Sequence, residues 1–151
     1  MACRPLGIVC DTDPVNGPRL RATFPCQHGG CRRTAAIIEV SRRGQLYLSD
    51  EQSVIYRIFP EAQGTTRLSG FLPYTSFSAR VLNLDATMNA VQAVDAAALH
   101  ALDDTWTPFY CRHCDRSFCA EHWNLKPSFG WAFEHYSGTC PAGHPHFIDH
   151  C

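Results

Sequence analysis

The sequence has very little lysine: of its 13 basic residues, all but Lys126 are arginine. It also has no excess of charge of either sign, because 14 acidic residues leave a net charge of −1. This balance excludes a field strong enough to draw the whole molecule onto nucleic acid or an anionic membrane. Any contact of that kind must come from a local patch.

Long apolar runs are absent as well. No segment approaches the roughly eighteen consecutive apolar residues of a transmembrane helix, although 45% of the residues are hydrophobic. The opening stretch MACRPLGIVCDTDP has too few apolar residues before Asp11 for a signal peptide. We therefore expect a cytoplasmic protein with no membrane partner, and 151 residues are enough for one domain with its own core.

Cysteine, in contrast, is abundant, with nine residues. A reducing compartment disfavours disulfides, so metal binding or redox chemistry is the expected reason for so many thiols. Cys3, Cys10 and Cys151 lie toward the ends of the sequence, and we predict that they are free thiols.

The first half of the chain predicts mixed secondary structure. Residues 1–20 contain several prolines without a sustained period, which predicts an irregular arm. The runs TAAIIEV and QLYLS, separated by SRRG, predict a β-hairpin. A helix is expected from Ser49 or Asp50 to Pro60, with Val54, Ile55, Ile58 and Phe59 on one stripe.

Residues 61–84 predict loops with short strands. The run DATMNAVQAVDAAALHALDD predicts a single long helix, because alanines fill it and apolar residues recur at intervals of three and four. Asp85 or Thr87 is its expected cap.

Four pairs of cysteine and histidine have the spacing of metal ligands. Two tetrahedral zinc sites need eight such donors, because two ligands on a tight turn reach an ion from one side and a distant pair completes the site. We therefore expect two Zn²⁺ ions. The pairs, in chain order, are Cys26 and Cys31, Cys111 and Cys114, Cys119 and His122, and Cys140 and His144. His28 is an alternative donor in the first pair, and His135, His146 and His150 are alternatives in the last.

The pairing of these ligands follows from the short spacer between Cys114 and Cys119, which makes it hard for the chain to turn around one ion. The alternative is a compact fold in which the chain does turn around one ion, so that these adjacent pairs share a site. Adjacent pairs are therefore expected to alternate between two sites. The first site would hold Cys26, Cys31, Cys119 and His122, and the second Cys111, Cys114, Cys140 and His144. The run CAEHWNL is typical of a ligand pair at the start of a helix, which favours a thiolate.

The stretch FYCRHCDRSFCAEH resembles the centre of the AN1-type zinc finger, in which a CxxC is followed by four residues and a CxxH, with an aromatic residue just before the third cysteine. Phe118 occupies that aromatic position, and CQHGGC resembles the family's opening CxxxxC. The opening pair lies much farther from Cys111 than in the family, and CPAGH replaces its closing histidine and cysteine. The resemblance implies a treble-clef-like, crossed-brace module of the kind found near ubiquitin and stress-response machinery.

Together these observations predict an α+β fold: a small zinc-stabilised domain over residues 21–151. Residues 32–108 would form an inserted α+β subdomain, and residues 109–151 the zinc-binding module. Eight donors imply closed, structural sites, so no catalytic residue is assigned. Aromatic residues are concentrated around the module, and one or two left exposed would mark a protein-binding patch. They are Trp106, Phe109, Tyr110, Trp123, Phe129, Trp131, Phe133 and Tyr136.

The favoured function is that of an adaptor that docks another protein, with a ubiquitin-like modifier or a conjugating enzyme as one class of partner. The alternative is nucleic-acid binding through the local basic group Arg32, Arg33, Arg42 and Arg43, which flanks the predicted hairpin. A zinc-dependent hydrolase with Glu121 as base ranks third. Redox chemistry at Cys111 and Cys114 is a minor alternative, because a third cysteine suited to a metal follows them.

Overall fold

The computed structural model describes residues 8–13, 17–44, 50–72, 77–129 and 133–150. It has a mixed α+β fold, in agreement with the predicted class. No helix in these ranges is long and apolar enough to cross a membrane. The strands are β1 (Ile8–Asp13), β2 (Gly17–Pro25), β3 (Thr34–Arg42), β4 (Gly64–Ser69), β5 (Phe77–Val81), β6 (Tyr110–Cys111), β7 (Arg116–Ser117), β8 (Lys126–Phe129), β9 (Phe133–Thr139) and β10 (Pro145–His150). The helices are α1 (Asp50–Ile58), α2 (Leu84–Gln92), α3 (Ala96–Leu102) and a 3₁₀ turn (Asp104–Trp106).

The first half of the chain forms a five-stranded antiparallel sheet in the order β1-β2-β3-β4-β5. Its central strand β3 carries a nearly continuous apolar run, and Ala36, Ile38 and Val40 are buried. Helix α2 packs against β2 and β3. This arrangement gives β3 neighbours on both edges and a helix over one face, which explains its apolar composition.

Residues 8–13 and 17–20 form strands and differ from the predicted irregular arm. Strand β1 pairs with β2 in register, with Cys10 opposite Leu20, and both strands begin before residue 21. The sheet therefore continues on both sides of the Cys26–Cys31 loop. The pairing depends on contacts between strands, which local proline content does not reveal.

The predicted hairpin is only partly within the described structure. Its first strand corresponds to β3, whereas the predicted partner QLYLS, residues 45–49, lies outside the described residues. Strand β3 instead pairs with β2, placing Ile38 opposite Ala22, and with β4, placing Ile38 opposite Leu68. Residues 61–84 contain two short strands, β4 and β5, as predicted.

The prediction of one long helix over residues 85–104 was wrong, because two helices, α2 and α3, occupy this range. Val94, between the two helices, adopts a left-handed backbone conformation with φ 53° and prevents α2 from continuing into α3. Asp95 then caps α3, with its side chain accepting a hydrogen bond from the Ala98 N–H. The cap of α2 is Asn83, whose side chain accepts from the Ala86 N–H, and neither Asp85 nor Thr87 has that role.

Helix α1 begins at Asp50 and ends at Ile58, close to the predicted bounds. Its apolar stripe is only partly covered, because Val54 is 44% and Ile58 is 61% exposed. Ile55 and Phe59 are half-buried, and Arg80 lies over the Phe59 ring, 4.2 Å from its centroid. The helix therefore packs through only one part of its stripe.

The second half of the chain adds a small β6–β7 hairpin and a three-stranded sheet in the order β10-β9-β8. One apolar core joins the two halves. The ring of Phe109 packs against Phe24 from β2, with 5.3 Å between centroids, and against Phe71, at 6.3 Å. Trp123 is fully buried, and its indole N–H donates to the Phe109 carbonyl. The cysteine-rich segments are thus packed into the same core as the five-stranded sheet.

Candidate metal centres

The first ligand pair lies in the loop between β2 and β3. The Cys26 N–H donates to the Arg33 carbonyl at 2.9 Å, and the Cys31 N–H donates to the His28 carbonyl at 2.9 Å. Gly30 has a φ of 77°, a conformation that suits glycine and lets the loop turn back. These backbone bonds close the loop so that both cysteines lie on one side of it.

A hydrogen-bonded pair joins this loop to the second half of the chain. The Gln27 N–H donates to the Ser117 carbonyl at 2.8 Å, and the Ser117 N–H donates to Gln27 Oε1 at 2.7 Å. Because β7 ends at Ser117 and Cys119 lies two residues later, this contact brings the two distant ligand pairs together.

Cys111 ends strand β6, and Cys114 lies in the turn of the β6–β7 hairpin. Asp115 follows them with a φ of 52°, and its carboxylate accepts a hydrogen bond of 2.6 Å from the Tyr110 hydroxyl. Burial together with this carboxylate raises the pKa of Tyr110 to about 12, so the hydroxyl remains a donor at neutral pH. The bond fixes the shape of the turn that presents the two thiols.

Cys119 and His122 lie in a hydrogen-bonded turn and not at the start of a helix, which corrects the prediction for CAEHWNL. The His122 and Trp123 N–H groups both donate to the Cys119 carbonyl, at 3.0 and 3.1 Å. The turn stops at Asn124, whose φ is 47°. It still places both ligands on one side, as a first helical turn would.

The first cluster consists of Cys26, Cys31, Cys119 and His122, whose ligand atoms all lie within 4.8 Å of one another. His122 Nδ1 is 3.4 Å from Cys26 Sγ and 3.2 Å from Cys119 Sγ. The cluster joins residues that are 96 positions apart in the sequence. The four donors that the sequence assigned to one site are therefore brought together.

The second cluster consists of Cys111, Cys114, Cys140 and His144, which meet the same 4.8 Å limit. His144 Nδ1 lies 3.7, 3.3 and 3.2 Å from the sulfurs of Cys111, Cys114 and Cys140. The sulfurs of Cys114 and Cys140 are 3.7 Å apart, far beyond the length of about 2.05 Å of a disulfide. Both clusters are Cys₃His sets that could hold metal ions.

The alternative histidine donors lie outside both sets. The His28 ring is 4.2 Å from the His122 ring between centroids, so it covers a ligand instead of completing the cluster. His135 stacks on Phe147 at 4.3 Å, and the side chain of His150 lies outside the described part of the chain. His146 is closest: its Nε2 is 3.5 Å from Cys111 Sγ.

The thiols have unequal acidity before any cation binds. Burial raises the pKa of Cys26 to about 11. Burial also raises the pKa of Cys114, with the neighbouring Cys140 and Cys111 thiols adding to the effect, to about 12. For Cys140, burial is outweighed by hydrogen bonds from the backbone at His144 and Ala142, which lower the pKa to about 7. Because a cation must displace the remaining protons, its binding strengthens as the pH rises.

The four arginines of the predicted basic group do not form one patch. Arg33 pairs with Glu121, whereas Arg43 donates to the Ala62 carbonyl and lies over the Tyr56 ring. Arg32 and Arg33 precede β3 and Arg42 ends it. A strand of this length separates its ends by about 30 Å. Arg42 also donates to Met88 Sδ at 3.8 Å, so at least three of the four guanidinium groups are already engaged, and the pairs lie far apart.

Most of the described residues in the predicted aromatic group are buried around the clusters. Trp106, Phe109, Tyr110 and Trp123 belong to the core, whereas Phe129 is 68% exposed. Trp131 and the side chain of Phe133 lie outside the described residues. The same holds for Cys3 and Cys151, while Cys10 lies in β1. Sequence reasoning missed Phe147, which is 71% exposed on β10.

These features define a class of protein: a small mixed α+β chain with two Cys₃His clusters able to hold metal ions, the first of which joins the two halves of the chain. A family model described as "Domain of unknown function (DUF8328)" matches residues 17–150, and the chain belongs to that family. All eight cluster residues fall within the matched range. No curated protein and no solved structure matches the chain.

Proposed function

We propose that this protein is a zinc-braced interaction protein, in which two Zn²⁺ ions hold the fold together and the exposed surface docks another protein. The observation that carries the proposal is the pair of four-donor clusters. Each offers a complete tetrahedral ligand set, which is typical of structural zinc.

The donor distances fit zinc. Tetrahedral bonds of about 2.3 Å to sulfur and about 2.0 Å to nitrogen place sulfur and nitrogen about 3.6 Å apart, and two sulfurs about 3.8 Å apart. The described nitrogen–sulfur separations run from 3.2 to 3.7 Å, and the sulfur–sulfur separation in the second cluster is 3.7 Å. Three thiolates with one imidazole also match the softness of zinc.

The ligand order supports a crossed brace. Along the chain the pairs belong alternately to the first, second, first and second cluster. This interleaving and the AN1-like run from Phe109 to His122 support a treble-clef-like zinc module. With two ions bound, each site contributes on the order of 10 kcal/mol of folding free energy.

Closed metal sites support a function at the surface of the protein. A catalytic zinc keeps one coordination position for water, whereas each cluster here already provides four donors. Glu121, the candidate base of a zinc hydrolase, is held by Arg33 instead, and this ion pair lowers the pKa of Glu121. The separation of the arginines likewise favours a protein partner over a nucleic acid, whose phosphates need several cations together.

A capture experiment tests the interaction proposal. We expect immobilised, zinc-loaded protein to retain a specific protein from nuclease-treated extract, and to keep it when NaCl is raised from about 0.15 to about 0.5 M. The Arg42→Ala, Arg43→Ala double variant is expected to retain it equally. Retention of nucleic acid alone, lost in high salt and in this variant, would replace the proposal with the nucleic-acid alternative.

His146 is expected to position a ligand of the second site. Its Nε2–H can donate to Cys111 Sγ, and its ring packs edge-on to Trp123 with 5.0 Å between centroids. His146→Phe keeps the packing but removes the donor. We expect two ions still to bind, with the affinity of the second site about tenfold weaker in chelator competition.

The matched control is His113→Phe. The His113 ring also lies near His144, at 4.9 Å between centroids, and no hydrogen bond between it and a sulfur is found among the described residues. It should leave both zinc affinities unchanged. Wild-type affinity in His146→Phe would remove the positioning role, and loss of a whole ion would make His146 a direct ligand.

A further inference from the structure

A cleft of about 310 Å³ opens beside the second cluster, at the three-stranded sheet. Its wall includes Lys126 from β8, Ser137 and Thr139 from β9, and His146 and Phe147 from β10. Strand β10 begins directly after His144. The Cys140–His144 turn that would hold an ion therefore also positions one side of the cleft.

The register places two complementary groups on one face of this sheet. Ser137 lies opposite Lys126 on one side and opposite Phe147 on the other. Directly opposed residues of antiparallel strands point to the same face. Neighbouring strands are about 4.8 Å apart, so the backbones at Lys126 and Phe147 lie about 10 Å from each other.

The residues that line the cleft carry positive charge and no negative charge. Lys126 is exposed and has no ion-pair partner in the described part of the chain, and none of the residues that line the cleft carries a carboxylate. Phe147 is the most exposed large apolar side chain among the described residues, at 71%. One face of the Phe147 ring is stacked on His135, but most of the side chain remains exposed. A cation without a counter-charge beside this exposed ring complements a ligand with one carboxylate and one apolar group.

We propose that this cleft is the docking site for an acidic, extended peptide segment of the partner. Lys126 pairs with a carboxylate, and Phe147 packs against an apolar side chain of the segment. This inference rests on the proposed interaction function. A segment in the polyproline II conformation has three residues per turn and advances about 3.1 Å per residue, so an apolar and an acidic residue three positions apart lie on one side of it, about 9 Å from each other. A nucleic acid is disfavoured because Lys126 is the only full cation of the wall.

The test uses the full zinc-loaded chain and two synthetic peptides, acetyl-LAAE-amide and acetyl-LAAQ-amide, in ¹H–¹⁵N correlation spectra. We expect the acidic peptide to shift amides of the cleft wall at up to about 10 mM. Lys126→Ala should weaken that peptide about fivefold, the size of one exposed ion pair, and leave the glutamine peptide unchanged. Phe147→Ser should weaken both.

Arg116→Ala is the control, because Arg116 is another exposed cation in the same half of the chain; it should bind like wild type. The spectrum of each variant reports directly whether it is folded. Equal affinity for the two peptides, wild-type binding by Lys126→Ala, shifts confined to other surfaces, no shifts at all, or preferential binding of an oligothymidylate would each overturn the cleft assignment. If the Lys126→Ala and Phe147→Ser proteins both retain as much of the partner as the wild-type protein does in the capture experiment, the cleft assignment fails while the interaction function stands.

Discussion

Removal of zinc at neutral pH is expected to unfold both halves of the chain in one transition. A structural zinc site contributes on the order of 10 kcal/mol of folding free energy, whereas a domain of this size is stable by about 5–15 kcal/mol in total. The first cluster takes Cys26 and Cys31 from the five-stranded sheet and Cys119 and His122 from the second half. The Phe24–Phe109 contact and the Gln27–Ser117 hydrogen bonds depend on the same junction.

Hydrogen exchange read by mass spectrometry measures this transition separately in each half. With increasing chelator, peptides containing Ile38 of β3 and peptides containing Trp123 should lose protection together. Chelator saturated with zinc beforehand is the control and should leave both protected. If the sheet keeps its protection after the Trp123 region has opened, the two halves are stable independently and the shared site is wrong.

The two clusters could be predicted from the sequence because candidate metal ligands give local spacing signals. A CxxC or CxxH places two donors on one turn whatever surrounds it, so the Cys111–Cys114 and Cys119–His122 pairs were recognisable individually. The choice of partners followed from the short spacer between them, a steric argument that needs no knowledge of the rest of the fold. The clusters group the residues in that way.

The long-range contacts that bring these turns together could not be predicted from local sequence patterns. The Gln27–Ser117 pair joins residues 90 positions apart, and nothing in either local pattern indicates it. The β1–β2 pairing was hidden for the same reason, because strand formation depends on a partner that the sequence alone does not identify. His146 was recognised as a possible donor, but its position beside Cys111 depends on the direction in which β10 continues from the Cys140–His144 turn.

At the break between α2 and α3, the sequence prediction gave more weight to helix propensity than to the N-cap signal of Asp95. Asp95 is a good N-cap residue, yet it lies within an alanine-rich run whose apolar spacing continues across it. Helix propensity favoured one long helix, whereas the cap and the left-handed Val94 end one helix and start another. A β-branched residue in that conformation costs about 1–2 kcal/mol, which tertiary packing must offset. Val94 packs against the core, as this requires.

The count of bound ions is the most direct test of the whole arrangement. Native mass spectrometry should find two zinc ions in the wild-type chain, one in Cys119→Ser and one in Cys140→Ser, because a serine hydroxyl cannot replace a thiolate at a zinc site. The controls His28→Gln and His135→Gln remove the two alternative donors and should keep both ions. A single ion or none in the wild-type chain would contradict the two-site assignment.

The two cysteine variants should also differ in stability. The second cluster closes a segment in which Cys111 and His144 are 33 positions apart, whereas the first joins residues 96 positions apart. Closing the longer loop costs more entropy in the absence of an ion, and only the first cluster joins the sheet to the second half. In urea unfolding, Cys119→Ser should therefore lose more free energy of unfolding than Cys140→Ser. Equal losses would mean that the apolar core around Phe109, and not the shared ion, holds the halves together.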